Sequence, residues 1–344
     1  MTMPGGVPNM TRRVSIALLL AALLVPMMPG RAQNPPPGKG SQEQVIRTGA
    51  DLVNIIFSVL NRREEFVKDL EKGDFRVTED GKEQRIEFFS RETDLPLRIG
   101  LLLDTSNSIR DRLKFEQEAA TDFVHQVVRR RKDQAFLMIF DNRPVVIQDF
   151  TDDLNDLTET IRRQRAGGGT ALYDAVYDAC RDRLTNPPLP EEENKQVRRV
   201  LVVISDGMDN LSDRTRSQAI EMAQRAEVVI YTISTSTDWM SITGAKPQKY
   251  HKTEGDKVLE QMAEQTGGRA FFPYRIDDLA RSFQDISVEL RSQYSLGYTP
   301  SNRTFDGRFR QIKIEVDRRG LLVRARKGYF ATRREAQTPA DPGQ

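Results

Sequence analysis

Asp104, Ser106 and Ser108 carry oxygen at alternate positions of the segment D-T-S-N-S, directly after the apolar run Ile99–Leu103. A short apolar run of this kind reads as a fully buried strand. Open α/β sheets place their ligand sites beyond the carboxyl ends of such strands. One carboxylate and two hydroxyls offered to a common point are hard oxygen donors, suited to Mg²⁺ or another hard divalent cation such as Mn²⁺ or Ca²⁺. The same residue types also cap helices, and this stretch alone leaves the two readings level.

Two further stretches bear on the choice. Gly168-Gly169-Thr170 presents a hydroxyl after a tight loop, and Ser205-Asp206-Gly207 presents a second carboxylate where the apolar run Arg199–Ser205 ends. Asp104 and Asp206 together neutralise one divalent ion, and the glycines beside Thr170 and Asp206 let the backbone approach closely. The candidate ligands Asp104, Ser106, Ser108, Thr170 and Asp206 leave a six-coordinate ion one position for water or for a partner's carboxylate.

The elements that must position these loops alternate. After the strand at 99–103, Phe115, Ala119, Phe123 and Val127 recur at four-residue spacing with Ala120, Val124 and Val128 beside them, which predicts an amphipathic helix. A strand at 134–140 and an antiparallel edge strand at 144–150 follow. Thr151 or Asp152 is placed to cap a helix through Arg163. Further helices are expected over 171–184, 216–226, 256–266 and 277–290, with strands at 199–205, 228–234 and 270–273. Strands joined by helical crossovers imply right-handed connections and a mostly parallel sheet. The expected fold class is therefore α/β, a Rossmann-like three-layer domain over 95–292. The flanks are β-rich. Residues 45–94 contain strand-like runs at 51–60, 75–78 and 84–89, with Asp80-Gly81 as a hairpin turn. Residues 293–330 contain runs at 294–298, 308–316 and 321–326, the last two joined around Arg319-Gly320. Three strands are too few to stand alone, so the flanks are expected to pair into one small sandwich-like module, leaving a polar tail at 331–344.

Asp104-Thr105-Ser106-Asn107-Ser108, Thr170 after a glycine turn, and Ser205-Asp206-Gly207 resemble the metal-ion-dependent adhesion site of von Willebrand factor type A domains. F-R-V-T-E-D-G-K before this region and Y-S-L-G-Y after it look like a group of secreted bacterial proteins described as von Willebrand factor A-related. The resemblance implies a Rossmann-like sheet with helices on both faces. It implies that Asp104, Ser106, Ser108 and Thr170 contact the metal, and that Asp206 acts directly or through water. It also implies binding of a protein that bears an exposed Asp or Glu.

Composition restricts the alternatives. The 344 residues include 52 basic and 50 acidic side chains, a balance that gives no case for nucleic acid or an anionic membrane surface. Arg12 and Arg13 precede the apolar stretch Val14–Met28, and Gly30-Arg31-Ala32 supplies small residues for a signal peptidase. The expected organisation is a signal peptide over 1–32, cleaved after Ala32, then a proline-rich linker over 33–44. The mature protein would be secreted or periplasmic, with no membrane span. Cys180 is the sole cysteine, so no intrachain disulfide forms. Phosphoryl transfer of the haloacid-dehalogenase type needs an acid two residues after Asp104, where Ser106 stands. Neither His125 nor His251 follows a strand as a catalytic base would, and Gly167–Gly169 is not a dinucleotide fingerprint. The sequence reads as a binding module, not an enzyme. The competing readings are a structural or assembly module with a vestigial metal site and, behind it, a hydrolase. Trp239 and Met240 fall in a polar insertion, and Asp209 and Asp213 are expected to cap the helix near Arg216 rather than bind a second cation.

Overall fold

The computed structural model describes residues 52–91, 95–188, 197–236, 251–273 and 276–332. The expected signal peptide and linker, Trp239, Met240 and the tail from 333 lie outside the described residues. In chain order the elements are β1 (Val53–Leu60), β2 (Phe75–Glu79), β3 (Lys82–Gln84), β4 (Phe88–Ser90), β5 (Leu97–Asp104), α1 (Leu113–Val127), β6 (Gln134–Phe140), β7 (Pro144–Thr151), α2 (Leu154–Arg162) and α3 (Leu172–Asp178). Then come β8 (Arg198–Ser205), α4 (Arg216–Arg225), β9 (Val228–Ser234), α5 (Glu254–Thr266), β10 (Ala270–Phe271), α6 (Ile276–Leu290), β11 (Tyr294–Tyr298), β12 (Phe309–Val316), β13 (Leu322–Ala325) and β14 (Gly328–Phe330).

The central sheet has the order β10-β9-β8-β5-β6-β7. All its pairings are parallel except β6 with β7. All eight residues of β5 are buried, because helices cover both faces. On one face Leu97, Ile99, Leu101 and Leu103 pack with Phe123 of α1, Ile161 of α2 and Phe283 of α6. On the other face Leu102 packs with Leu172 and Val176 of α3, Ala223 of α4 and Leu259 of α5. Gly100 leaves room on that second face: a Cβ there would stand 2.5 Å from Cζ of Phe136. The chain leaves β5 for β6 on one side, and β8 later lines up on the other. The carboxyl end of β5 is thus a topological switch point, where crevices open in sheets of this kind.

The flanks pair with each other. One sheet has the order β13-β1-β11-β4 and the other β14-β12-β2-β3. Each therefore contains strands from both ends of the chain, with Val53 opposite Tyr298 and Val77 opposite Ile314. Phe57, Val77, Tyr294, Leu296 and Ile314 form one core between the sheets. Asp80 and Gly81 both have positive φ, +47° and +80°, as a two-residue hairpin between β2 and β3 requires. The module is tied to α6. The buried Glu289 accepts from Ser58 Oγ at 3.0 Å and from Arg324 at 2.8 and 3.0 Å.

Several local expectations need correcting. The helix expected over 171–184 stays α-helical only to Asp178; Ala179–Leu184 is π-helical, with Thr185 N–H bonded to the Cys180 carbonyl. Asp153, not Thr151 or Asp152, caps α2, accepting from the N–H groups of Asn155 and Asp156. Thr215 caps α4, while Asp209 accepts from Tyr173 N–H in the first turn of α3. Asp209 therefore caps a helix, but one earlier in the chain than expected. β12 and β13 are joined around Arg319-Gly320 but lie in opposite sheets, and the short β14, which was not expected, closes the edge beside β12. Among the described residues no helix is long and apolar enough to cross a membrane.

Candidate functional site

Asp104 ends β5 and has no solvent exposure. The chain turns at once, so that the N–H of Ser106 donates to Asp104 Oδ1 at 2.9 Å. A single 3₁₀ turn over Asn107–Ile109 then brings Ser108 back, and the hydroxyls of Ser106 and Ser108 stand 2.8 Å apart. The alternate spacing seen in the sequence thus becomes two adjacent hydroxyls beside one carboxylate.

The second loop is hydrogen-bonded to the first. Gly167 N–H donates to the Thr105 carbonyl at 2.7 Å, and Asn107 N–H donates to the Gly168 carbonyl at 3.1 Å. Thr170 is 4 % exposed, and its N–H is held by Asn210 Oδ1 at 2.9 Å. The third loop closes the ring. The N–H groups of Asn210 and Leu211 donate to the Thr170 carbonyl, and Ser205 Oγ donates to Asp104 Oδ2 at 2.6 Å. Ser205 Oγ also accepts from Gly207 N–H at 3.1 Å, and Asp206 Oδ1 accepts from Met208 N–H. Gly207 has φ +78°, and a Cβ there would meet the Gly255 carbonyl oxygen at 2.2 Å, so glycine is required beside Asp206. The three loops carrying Asp104, Ser106, Ser108, Thr170 and Asp206 are therefore one hydrogen-bonded unit.

The electrostatics favour a positive guest. Burial pushes the Asp104 carboxyl up to about 6, opposed by its hydrogen bonds from Ser205 and Ser106 and reinforced by the charge of Asp206. Glu116, in the first turn of α1, is pushed up to about 8 by burial and then by Asp104; Arg112 offsets part of this. Its carboxylate oxygens have no hydrogen-bond partner among the described residues. Among the described residues no three His, Cys, Asp or Glu side chains are grouped to hold a metal. The donor set is instead two carboxylates with three hydroxyls, a hard-oxygen mixture that fits a small divalent ion.

Sequence reasoning missed Glu116, Asn142 and Asn210, and it placed Ser205 in the third loop without its bond to Asp104. Glu116 was visible only as an acid interrupting an apolar stripe, and Ser205 only as the residue before Asp206. Asn142 accepts from Gly169 N–H across a 27-residue separation that no local pattern reveals. His125 lies on α1 against Thr158 Oγ1 at 3.1 Å, and His251 is exposed ahead of α5. Cys180 is fully buried, and burial pushes its thiol up.

Residues 99–208 match the family model described as von Willebrand factor type A domain. This span contains Asp104, Ser106, Ser108, Thr170 and Asp206. No curated protein matches the chain. Among solved structures, an aerotolerance-related membrane protein from Bacteroides fragilis NCTC 9343 is 18% identical, with a TM-score of 0.43, covering 56% of this chain and 98% of that one. A von Willebrand factor type A protein from Catenulispora acidiphila is 12% identical, with a TM-score of 0.47, covering 79% of this chain and 71% of that one. Proximal thread matrix protein 1 from the mussel byssus, with a zinc-occupied MIDAS motif, is 17% identical, with a TM-score of 0.45, covering 62% of this chain. The chain spans 50% of that mussel protein.

Proposed function

We propose that the von Willebrand factor type A domain carried by this chain is a secreted or periplasmic binding module that takes a divalent cation at Asp104, Ser106, Ser108, Thr170 and Asp206 and captures an exposed Asp or Glu of a partner protein there. The observation that carries this reading is the mutual hydrogen bonding of the three loops around Asp104. A bound cation supplies a Lewis-acidic point for an incoming carboxylate. The chain's own residues do the rest. Ser205 and the Ser106 N–H fix the two oxygens of Asp104. Asn210 holds the Thr170 backbone. Gly207 allows Asp206 its approach. The hydroxyls bring oxygen without charge, so Asp104 and Asp206 neutralise a divalent ion and leave it able to accept one further anion.

The surroundings suit recognition better than turnover. Met208 and Leu211, on the third loop, are 54% and 48% exposed, an apolar rim around a charged centre. Calorimetric titration with Mg²⁺ and Mn²⁺ tests the proposal. Binding in the wild type and its loss in Asp104→Ala is the expected result; unchanged binding in Asp104→Ala overturns it. Partner capture from envelope extracts that is as strong in EDTA as in Mg²⁺ would favour a structural module in which the site is vestigial.

A further inference from the structure

Glu116 is not among the five proposed ligands, yet it is an acid buried beneath the surface of the domain. It is 2% exposed, and both carboxylate oxygens are buried without a hydrogen-bond partner among the described residues. It heads the face of α1 that otherwise carries Ala119, Ala120, Phe123 and Val127 into the core. A buried acid without partners is among the costliest groups a fold can hold, and a methionine or leucine would suit this stripe without that cost. The charged groups that act on it explain the choice. Asp104 and Asp206 oppose its charge from the ends of β5 and β8, and Arg112, just before α1, favours it. Among the described residues the three carboxylates do not gather into one ligand cluster, so Glu116 acts on the site through its charge and not as a ligand.

We propose that Glu116 is a positioning residue of the cation site, a third buried carboxylate whose charge is matched only when a divalent ion sits among Asp104, Ser106, Ser108, Thr170 and Asp206, and which thereby tightens cation binding. The proposal rests on the reading of those five residues as cation ligands. Asp104 and Asp206 balance the ion, and Arg112 offsets part of the charge of Glu116, so the loaded centre remains able to take a partner's carboxylate. The same arrangement favours divalent over monovalent ions, since a single positive charge attracts the carboxylates less strongly than a double one.

The test compares the wild-type chain with Glu116→Gln, which keeps the shape and removes the charge. Mn²⁺ affinity is measured by calorimetry and by electron paramagnetic resonance, with urea unfolding in chelator alongside. The expected result is a loss of about tenfold or more in Mn²⁺ affinity, the scale of groups that support metal ligands, in a cation-free protein at least as stable as the wild type. Mn²⁺ affinity within twofold of the wild type, whatever the change in stability, overturns the inference. Glu116→Met, which fills the stripe with an apolar group, gives the same comparison if the glutamine variant does not fold. A wild-type protein that binds no Mn²⁺ removes the parent reading and this inference together. A wild type that binds, with variants that bind equally well, removes this inference alone.

Discussion

Ser205→Ala removes a buried hydroxyl that does two things. Ser205 has no exposure; it donates to Asp104 Oδ2 at 2.6 Å and accepts from Gly207 N–H at 3.1 Å. A hydrogen bond to a charged acceptor contributes about 1.5–3 kcal/mol and a neutral one about 1 kcal/mol. Alanine leaves both partners buried and unpaired. The variant should therefore lose about 2–4 kcal/mol in urea unfolding, with an unchanged m-value, and about 6–12 °C in Tm. A second readout separates the site from the fold. The Ser205 bond holds down the Asp104 carboxyl, which burial otherwise raises, so its loss should move the pH midpoint of Mn²⁺ binding upward. A stability loss under about 0.5 kcal/mol, or an unmoved pH midpoint, would refute the reasoning that joins the third loop to Asp104.

Three further outcomes are expected. Cation binding needs Asp104 ionised, and its carboxyl lies at about 6, so Mn²⁺ affinity should fall as pH drops through 6. Stability without cation should run the other way. Asp104 and Glu116 are raised to about 6 and about 8, so the folded chain holds protons that the unfolded chain has lost. Urea unfolding in chelator should then show stability falling from pH 5 to pH 8; a rise across that window contradicts the assignment. Glu289→Ala strands Arg324 and Ser58 in the joint between α6 and the β module and should cost about 3–5 kcal/mol. Because Arg198, at the start of β8, bonds the Leu290 carbonyl, this joint lies at the amino-end edge of the sheet, away from Asp104. Mn²⁺ affinity should therefore be unchanged, and a matching fall in affinity would show that the two ends are coupled.

What was legible in the sequence was what local chemistry encodes. The apolar runs at 99–103 and 199–205 announce strands buried on both faces; β5 is buried throughout, and β8 at every residue but the half-buried Arg199. Asp80-Gly81 announces a hairpin through the backbone conformation it permits. Long-range facts were not legible. The chain places Val53 opposite Tyr298, but nothing near either residue encodes that register. β14 is three residues long, too short for a periodicity to register. Neighbouring acids compete for the same caps, so Asp153 rather than Asp152 capping α2, and Asp209 reaching α3, depend on the path of the loops. Glu116 is the instructive miss. In a helical pattern an acid on the apolar face reads as noise, and it acquires meaning only when α1 is laid beside the carboxyl ends of β5 and β8.

The central claim is that the three loops hold a cation. Crystals grown with Mn²⁺ and measured for anomalous scattering test it most directly. One strong anomalous peak is expected, bounded by Asp104, the Ser106 and Ser108 hydroxyls, Thr170 and Asp206, with no peak there in Asp104→Ala. A Mn²⁺ peak elsewhere with none between these loops, or a peak that survives Asp104→Ala, would contradict it.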